Sequence, residues 1–142
     1  GEGPDRRKVE ALVRERRLDW VSLPGRVPRD ELRQLYAAAD VYLSPARLES
    51  FGIAALEART VGLPVIGRSG SGVGEFVTDG VNGLVVSSDS QMSSAIARLA
   101  EDPGEVARMK AWNITHPPEQ DWSHVAALAV AEYERALGLV RR

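Results

Sequence analysis

The chain has 142 residues, with 18 Lys and Arg against 20 Asp and Glu, so its formal net charge is −2. A charge this close to balance disfavours a nucleic-acid partner or an anionic membrane surface. The absence of cysteine excludes disulfides, thiol chemistry and cysteine-ligated metal sites, and two histidines leave little material for other metal sites. No apolar run approaches the ~20 residues that span a bilayer. We therefore expect one cytoplasmic domain over residues 1–142.

The first third of the chain predicts two amphipathic helices and two short strands. A helix opens at Pro4, and the apolar run Trp20–Leu23 reads as the first strand. A second helix opens at Pro28. The second strand, Asp40–Ser44, is cut off by Pro45.

The rest of the chain continues the alternation of helices and strands. A helix is predicted over Phe51–Val61, where Gly62 stands in the position of a left-handed cap. Strands are predicted over Pro64–Gly67 and Leu84–Val86, with a glycine-rich turn at Gly70–Gly74 between them. Three helices follow, Asp89–Ala100, Gly104–Trp112 and Trp122–Leu139. This order is typical of an α/β fold with a parallel sheet, in which ligands bind at the carboxyl ends of the strands.

The turn after Ser44 has the features of an anion-binding helix start. Ser50 is a candidate N-cap, so the helix would begin at Phe51 with free amides near Gly52 and Ile53. A glycine at position 52 lets an anion approach the backbone, because it has no side chain there.

Two glutamates flank this helix start. Glu57 follows Ile53 by four residues and falls inside an apolar stripe, where an unpartnered carboxylate would be costly by several kcal/mol. The vicinal hydroxyls of a ribose could donate two hydrogen bonds to it. A buried arginine or a backbone amide could also satisfy Glu57, and Glu49 could simply favour the positive end of the helix dipole. The residues alone leave these readings open.

The order of motifs resembles the donor-binding domain of the retaining glycosyltransferases of group 1 (family 4, GT-B architecture). Glu49 and Glu57 stand at the E-x7-E spacing of that family. Further similar segments, in the family's order, are Asp40–Pro45, Glu49–Gly52, Gly62–Ile66, Asp79-Gly80 and Asn82–Val86. The resemblance implies a Rossmann-like parallel sheet with flanking helices, forming an incomplete C-terminal half of a GT-B protein.

The resemblance also implies a role for each residue of the motif. Glu57 would bind the ribose hydroxyls, and Glu49 would orient the donor sugar near its 3-hydroxyl without acting as a nucleophile. The remaining donor contacts would come from backbone atoms: the amides of Ser50, Phe51 and Gly52 on the sugar and distal phosphate, Ile53 on the phosphates, and Arg26 and Val27 beside the nucleobase.

Several features depart from the family's pattern. The Arg and Lys that the family places after its first strand would lie upstream of this chain, as would the first two strands and the acceptor domain. The turn Ser71–Glu75 lacks the family's proline. Arg68 stands where a small polar residue is typical, either as a surface charge or as a cation near the donor phosphates.

We therefore expect the donor-binding part of a retaining glycosyltransferase that uses a nucleotide diphosphate sugar, needs no metal or other cofactor, and transfers little sugar in isolation. The acceptor, a sugar, lipid or small molecule, would bind the absent N-terminal domain. The alternatives are a non-catalytic nucleotide-sugar-binding module, one subunit of a split transferase, or a nucleotide-sugar epimerase. Exposed strand edges leave dimerisation or strand exchange open, and the full-length protein could associate peripherally with a membrane.

Overall fold

The computed structural model describes residues 2–120 and 122–140, and the chain divides into two compact units, residues 1–38 and 39–142. The N-terminal unit contains helices α1 (Arg6–Glu15) and α2 (Arg29–Ala38). None of the described helices combines the length and the apolar composition that a membrane span requires.

The C-terminal unit is built on a parallel sheet of three strands. These are β1 (Tyr42–Ser44), β2 (Val65–Arg68) and β3 (Gly83–Val86), in the spatial order β1-β2-β3. Tyr42 lies opposite Val65, and Arg68 lies opposite Val86. Because all three strands run in the same direction, their carboxyl ends lie along one edge of the sheet, which is the edge where the sequence predicts the ligand.

Helices join and cover the strands. Helix α3 (Ile53–Thr60) connects β1 to β2, and a 3₁₀ turn (Gly72–Glu75) follows β2. Three helices then complete the chain, α4 (Asp89–Glu101), α5 (Pro103–Thr115) and α6 (Trp122–Val140).

The hydrophobic core lies on both faces of the sheet. On one face Ile66 packs in a cluster with residues of β3, α4 and α5, among them Leu99 and Met109. On the other face Val65 packs in a second cluster, with Ala55, Val73, Phe76 and Val77. Every residue of β2 is buried, as expected of a central parallel strand that is covered on both sides. The predicted α/β class with a parallel sheet is confirmed.

The predicted first strand, Trp20–Leu23, is wrong. Residues 20–23 have no strand conformation, the Val21 amide donates to the Leu18 carbonyl at 3.0 Å, and the Trp20 side chain is 82% exposed. A strand needs a neighbour for its backbone hydrogen bonds, and the described part of the N-terminal unit contains no other strand. The sheet therefore has three strands instead of the four predicted.

Candidate functional site

The turns after β1 and β2 meet at the carboxyl edge of the sheet. The Gly72 amide donates to the Glu49 carbonyl at 3.0 Å. A Cβ atom at position 72 would overlap the Ser50 carbonyl and the Phe51 backbone, so only glycine allows this close approach. The glycine-rich turn therefore supports the backbone of the segment that carries Glu49.

The start of α3 differs from the prediction. Ser50 is exposed and does not cap the helix, which begins at Ile53 after Gly52 in a left-handed conformation (φ 88°). The Glu49 Oε1 atom accepts hydrogen bonds from the amides of Gly52 (3.1 Å) and Phe51 (3.4 Å). The half-buried Glu49 carboxylate thus occupies two of the amides that the sequence predicts to face a ligand. The positive end of the helix dipole favours its charge there.

Glu57 is exposed, so its predicted place in a buried apolar stripe is wrong. The buried residues of α3 are Ala55, Ala58 and Arg59, and the Ile53 side chain, one turn before Glu57, is 66% exposed. The helix is apolar on several sides, and this is why the sequence pattern did not reveal which side packs on the sheet. In the described part of the chain no side chain donates a hydrogen bond to the Glu57 carboxylate.

Tyr42 is subject to the charges of both glutamates. Its side chain is half-buried at the start of β1, and its pKa is raised above the ordinary 10.0 by burial, then by the charge of Glu57, then by that of Glu49. Both carboxylate charges therefore act on the same phenol. Sequence reasoning missed Tyr42, because an aromatic residue in a strand is read as core. Tyr42 follows Val41 directly, so the two side chains point to opposite faces of the sheet. This alternation was the sequence feature that could have indicated where the Tyr42 side chain lies.

Arg68 is neither on the surface nor unpaired, so the predicted surface charge is wrong. It is 5% exposed, its Nε donates to the Pro45 carbonyl at 3.2 Å, and its Nη2 donates to the Asp89 carboxylate. The guanidinium is already neutralised inside the protein, and its predicted contact with donor phosphates stays a prediction.

The remaining predicted contacts lie in the N-terminal unit. Arg26 is exposed and Val27 is half-buried, and both belong to the loop before α2. Their predicted position beside a nucleobase stays a prediction. Within residues 2–120 and 122–140, no group of three or more His, Cys, Asp or Glu residues could hold a metal ion.

Comparison with known proteins gives the family. The sequence profile described as "Glycosyl transferases group 1" matches residues 1–114, about four fifths of the chain. The chain therefore belongs to the group 1 glycosyltransferase family.

Relatives share both sequence and fold with the chain. It is 36% identical over 126 residues to a D-inositol 3-phosphate glycosyltransferase of Thermobispora bispora, covering 87% of this chain and 29% of that protein. Its structure is similar to that of the sucrose-phosphate synthase of Thermosynechococcus elongatus, with a TM-score of 0.77 and 28% identity over 99% of this chain and 36% of the other.

The fold is also that of the Anabaena protein HepE, solved in complex with UDP, with a TM-score of 0.72 and 24% identity over 92% of this chain and 36% of HepE. The chain thus spans about a third of the length of these proteins. The structures confirm that its sheet and helices match the C-terminal part of GT-B glycosyltransferases.

Proposed function

We propose that this chain is the donor-binding part of a retaining glycosyltransferase that transfers a sugar from a nucleotide diphosphate sugar. The observation that carries the proposal is the position of Glu49 at the carboxyl edge of the sheet, where its carboxylate accepts from the amides of Phe51 and Gly52, with the exposed Glu57 on the helix that follows. The family membership and the UDP bound to HepE, a protein of the same fold, support a nucleotide-sugar donor.

In this proposal Glu57 receives the ribose. Its carboxylate is exposed and accepts no hydrogen bond from a described side chain, so two vicinal hydroxyls can each donate to one of its oxygens. Burial by the bound donor would strengthen these bonds, because hydrogen bonds to a charged group gain as water is excluded.

Glu49 and the amides after it would contact the sugar and the distal phosphate. The Glu49 side chain accepts hydrogen bonds from the amides of Phe51 and Gly52. When a phosphate or sugar oxygen reaches those amides, the carboxylate shares them or turns toward the sugar hydroxyls. In the same proposal the Ser50 amide contacts the sugar and distal phosphate. Ile53, the first residue of α3, contacts the phosphates.

The chemistry needs an electrostatic contact at the leaving group. Negative charge grows on the distal phosphate as the glycosidic bond breaks, and fixed amides aimed at that oxygen stabilise the transition state more than the ground state. The family resemblance implies that an Arg and a Lys complete that contact. Transfer itself is therefore proposed for a protein that also contains an acceptor domain.

Calorimetric titration tests the ribose assignment. The unmodified chain and its Glu57→Gln variant are titrated with UDP, ADP, GDP and dTDP, and with inorganic pyrophosphate. We expect Glu57→Gln to weaken the nucleoside diphosphate that binds by about tenfold or more, because a hydrogen bond to a charged group contributes about 1.5–3 kcal/mol. Pyrophosphate, which has no ribose, should bind the variant as it binds the unmodified chain.

A matched control is Glu101→Gln, an exposed glutamate at the far end of α4. This variant should bind every ligand as the unmodified chain does. Equal weakening of pyrophosphate and nucleoside diphosphate by Glu57→Gln would refute the ribose contact. Absence of binding of all four nucleoside diphosphates would refute the donor site itself.

A further inference from the structure

Arg68 connects the ends of all three strands. It is the last residue of β2, and its buried guanidinium donates to the carbonyl of Pro45, which follows β1, and to the carboxylate of Asp89, which follows β3 and begins α4. A buried guanidinium needs such partners, because an unpaired charge in the interior is costly.

Asp89 also binds the loop that leads to Glu49. Its second carboxylate oxygen accepts from the Nη2 atom of Arg47 at 2.9 Å. The loop is therefore held directly at Pro45 by Arg68 and at Arg47 by Asp89. A third contact, from the Gly72 amide to the Glu49 carbonyl at 3.0 Å, holds the end of the loop.

Apolar packing does not hold residues 45–48, the part of the loop that leads to Glu49. Residues 45–48 are all exposed, and the Leu48 side chain is 100% exposed. Its position therefore depends on these polar contacts, and two of the three involve Arg68 or Asp89.

We propose that Arg68 and Asp89 form a positioning pair that fixes the loop carrying Glu49, and that Arg68 does not contact the donor. The consequence for a donor sugar rests on the proposed function, whereas the effect on the loop does not. A rival role exists, because Arg47, Arg68 and Asp89 line a cavity of about 340 Å³, in which a freed Arg68 could meet a phosphate.

Amide hydrogen exchange followed by NMR tests the positioning without any ligand. In Asp89→Asn the amides of Phe51 and Gly52, which donate to Glu49, should exchange about tenfold faster or more, because weakening a charge-assisted contact lowers the free energy of local opening. The amides of β2 serve as the internal reference and should keep their protection.

The matched control is Asp102→Asn, because Asp102 also stands at a helix start, where it accepts from the Glu105 amide at 2.9 Å. This variant should leave the Phe51 and Gly52 amides unchanged. Arg47→Gln removes one exposed contact without unpairing a buried charge, so it keeps the test open if Asp89→Asn fails to fold. Arg47→Gln should accelerate the same two amides by a smaller factor. Unchanged exchange in Arg47→Gln and in folded Asp89→Asn would overturn the positioning pair.

Titration with inorganic pyrophosphate separates this role from a phosphate contact. If Arg68 only positions the loop, Asp89→Asn leaves pyrophosphate affinity unchanged or lowers it. If Asp89 restrains a phosphate-binding Arg68, the same variant raises that affinity, which would overturn the proposal. Failure of the unmodified chain to bind pyrophosphate or any nucleoside diphosphate would contradict the proposed function, while the exchange measurement still decides the positioning.

Discussion

Tyr42 is the residue on which the geometry of the candidate site can be measured. The charges of Glu57 and Glu49 both oppose ionisation of its phenol, which raises its pKa. The two glutamates were predictable because their spacing carries a family pattern. The influence of both charges on Tyr42 was not, because it depends on which side of α3 faces solvent, and the sequence of α3 is apolar on several sides.

Neutralising Glu57 should lower the pKa of Tyr42. In Glu57→Gln the pKa should move back toward 10.0, and in Glu49→Gln it should move less, because the charge of Glu57 has the larger effect. Absorbance titration of the tyrosinate, with Tyr42→Phe to identify the signal, measures both shifts. An unchanged Tyr42 pKa in both variants would show that the carboxylates do not converge.

The raised pKa of Tyr42 also gives a pH dependence of stability. Its pKa is higher in the folded chain than in the unfolded one, so this contribution is fully present below about pH 10 and is lost as the pH rises through the folded-state value. The free energy of unfolding should therefore fall less steeply above pH 10 in Tyr42→Phe than in the unmodified chain. Equal slopes would contradict the shift.

At the scale of elements, the site depends on the contact between the glycine-rich turn and the loop before α3. The turn supplies the Gly72 amide to the Glu49 carbonyl, and Val73 beside it packs into the core. Phe51 and Phe76, one from each segment, add an edge-to-face contact with ring centroids 5.8 Å apart.

A methyl group at Gly72 should disturb this contact. Gly72→Ala places a Cβ into the backbone of Ser50 and Phe51, and overpacking of this kind costs about 1–3 kcal/mol. Gly74→Ala is the matched control in the same turn, since its Cβ would meet no atom within 4 Å. Its free energy of unfolding should change by about 0.5 kcal/mol or less. Urea denaturation compares the two variants, and equal stabilities would contradict the close approach.

Most elements were predictable from the sequence, and their ends were not. Strands β1 to β3 and helices α4 to α6 lie within a few residues of the predicted ranges, because apolar runs, Ser88 as N-cap and Pro103 mark them locally. The helix α3 begins two residues later than predicted, after Gly52 in a left-handed conformation, and the Glu49 side chain accepts from the amides of Phe51 and Gly52 that were expected to be free. Both Ser50 and Glu49 lie close enough in sequence to accept from these amides, so the sequence alone did not decide between them.

At the scale of the whole molecule, the buried side chain of Asn113 joins the elements at the amino ends of β2 and β3. The side chain of Asn113 in α5 donates to the carbonyls of Leu63 (3.0 Å) and Asn82 (3.1 Å) and accepts from Arg59 at 3.2 Å. Burial lowers the pKa of Arg59, and this acceptor together with the His116 carbonyl satisfies its guanidinium. These bonds fix the amino ends of β2 and β3 to α3 and α5, at the end of the sheet opposite the candidate site.

Titration of the isotope-labelled chain with a nucleoside diphosphate, followed by NMR amide shifts, decides whether a donor binds at the carboxyl edge. Binding there should shift the amides of residues 49–53 and of Gly72, with the shifts saturating as ligand is added. The amide signals of Leu63 and Asn113, at the amino ends of the strands, should not shift. Saturable shifts confined to that opposite end, or no shift with UDP, ADP, GDP or dTDP at millimolar concentration, would contradict a nucleotide-sugar site built on Glu49 and Glu57.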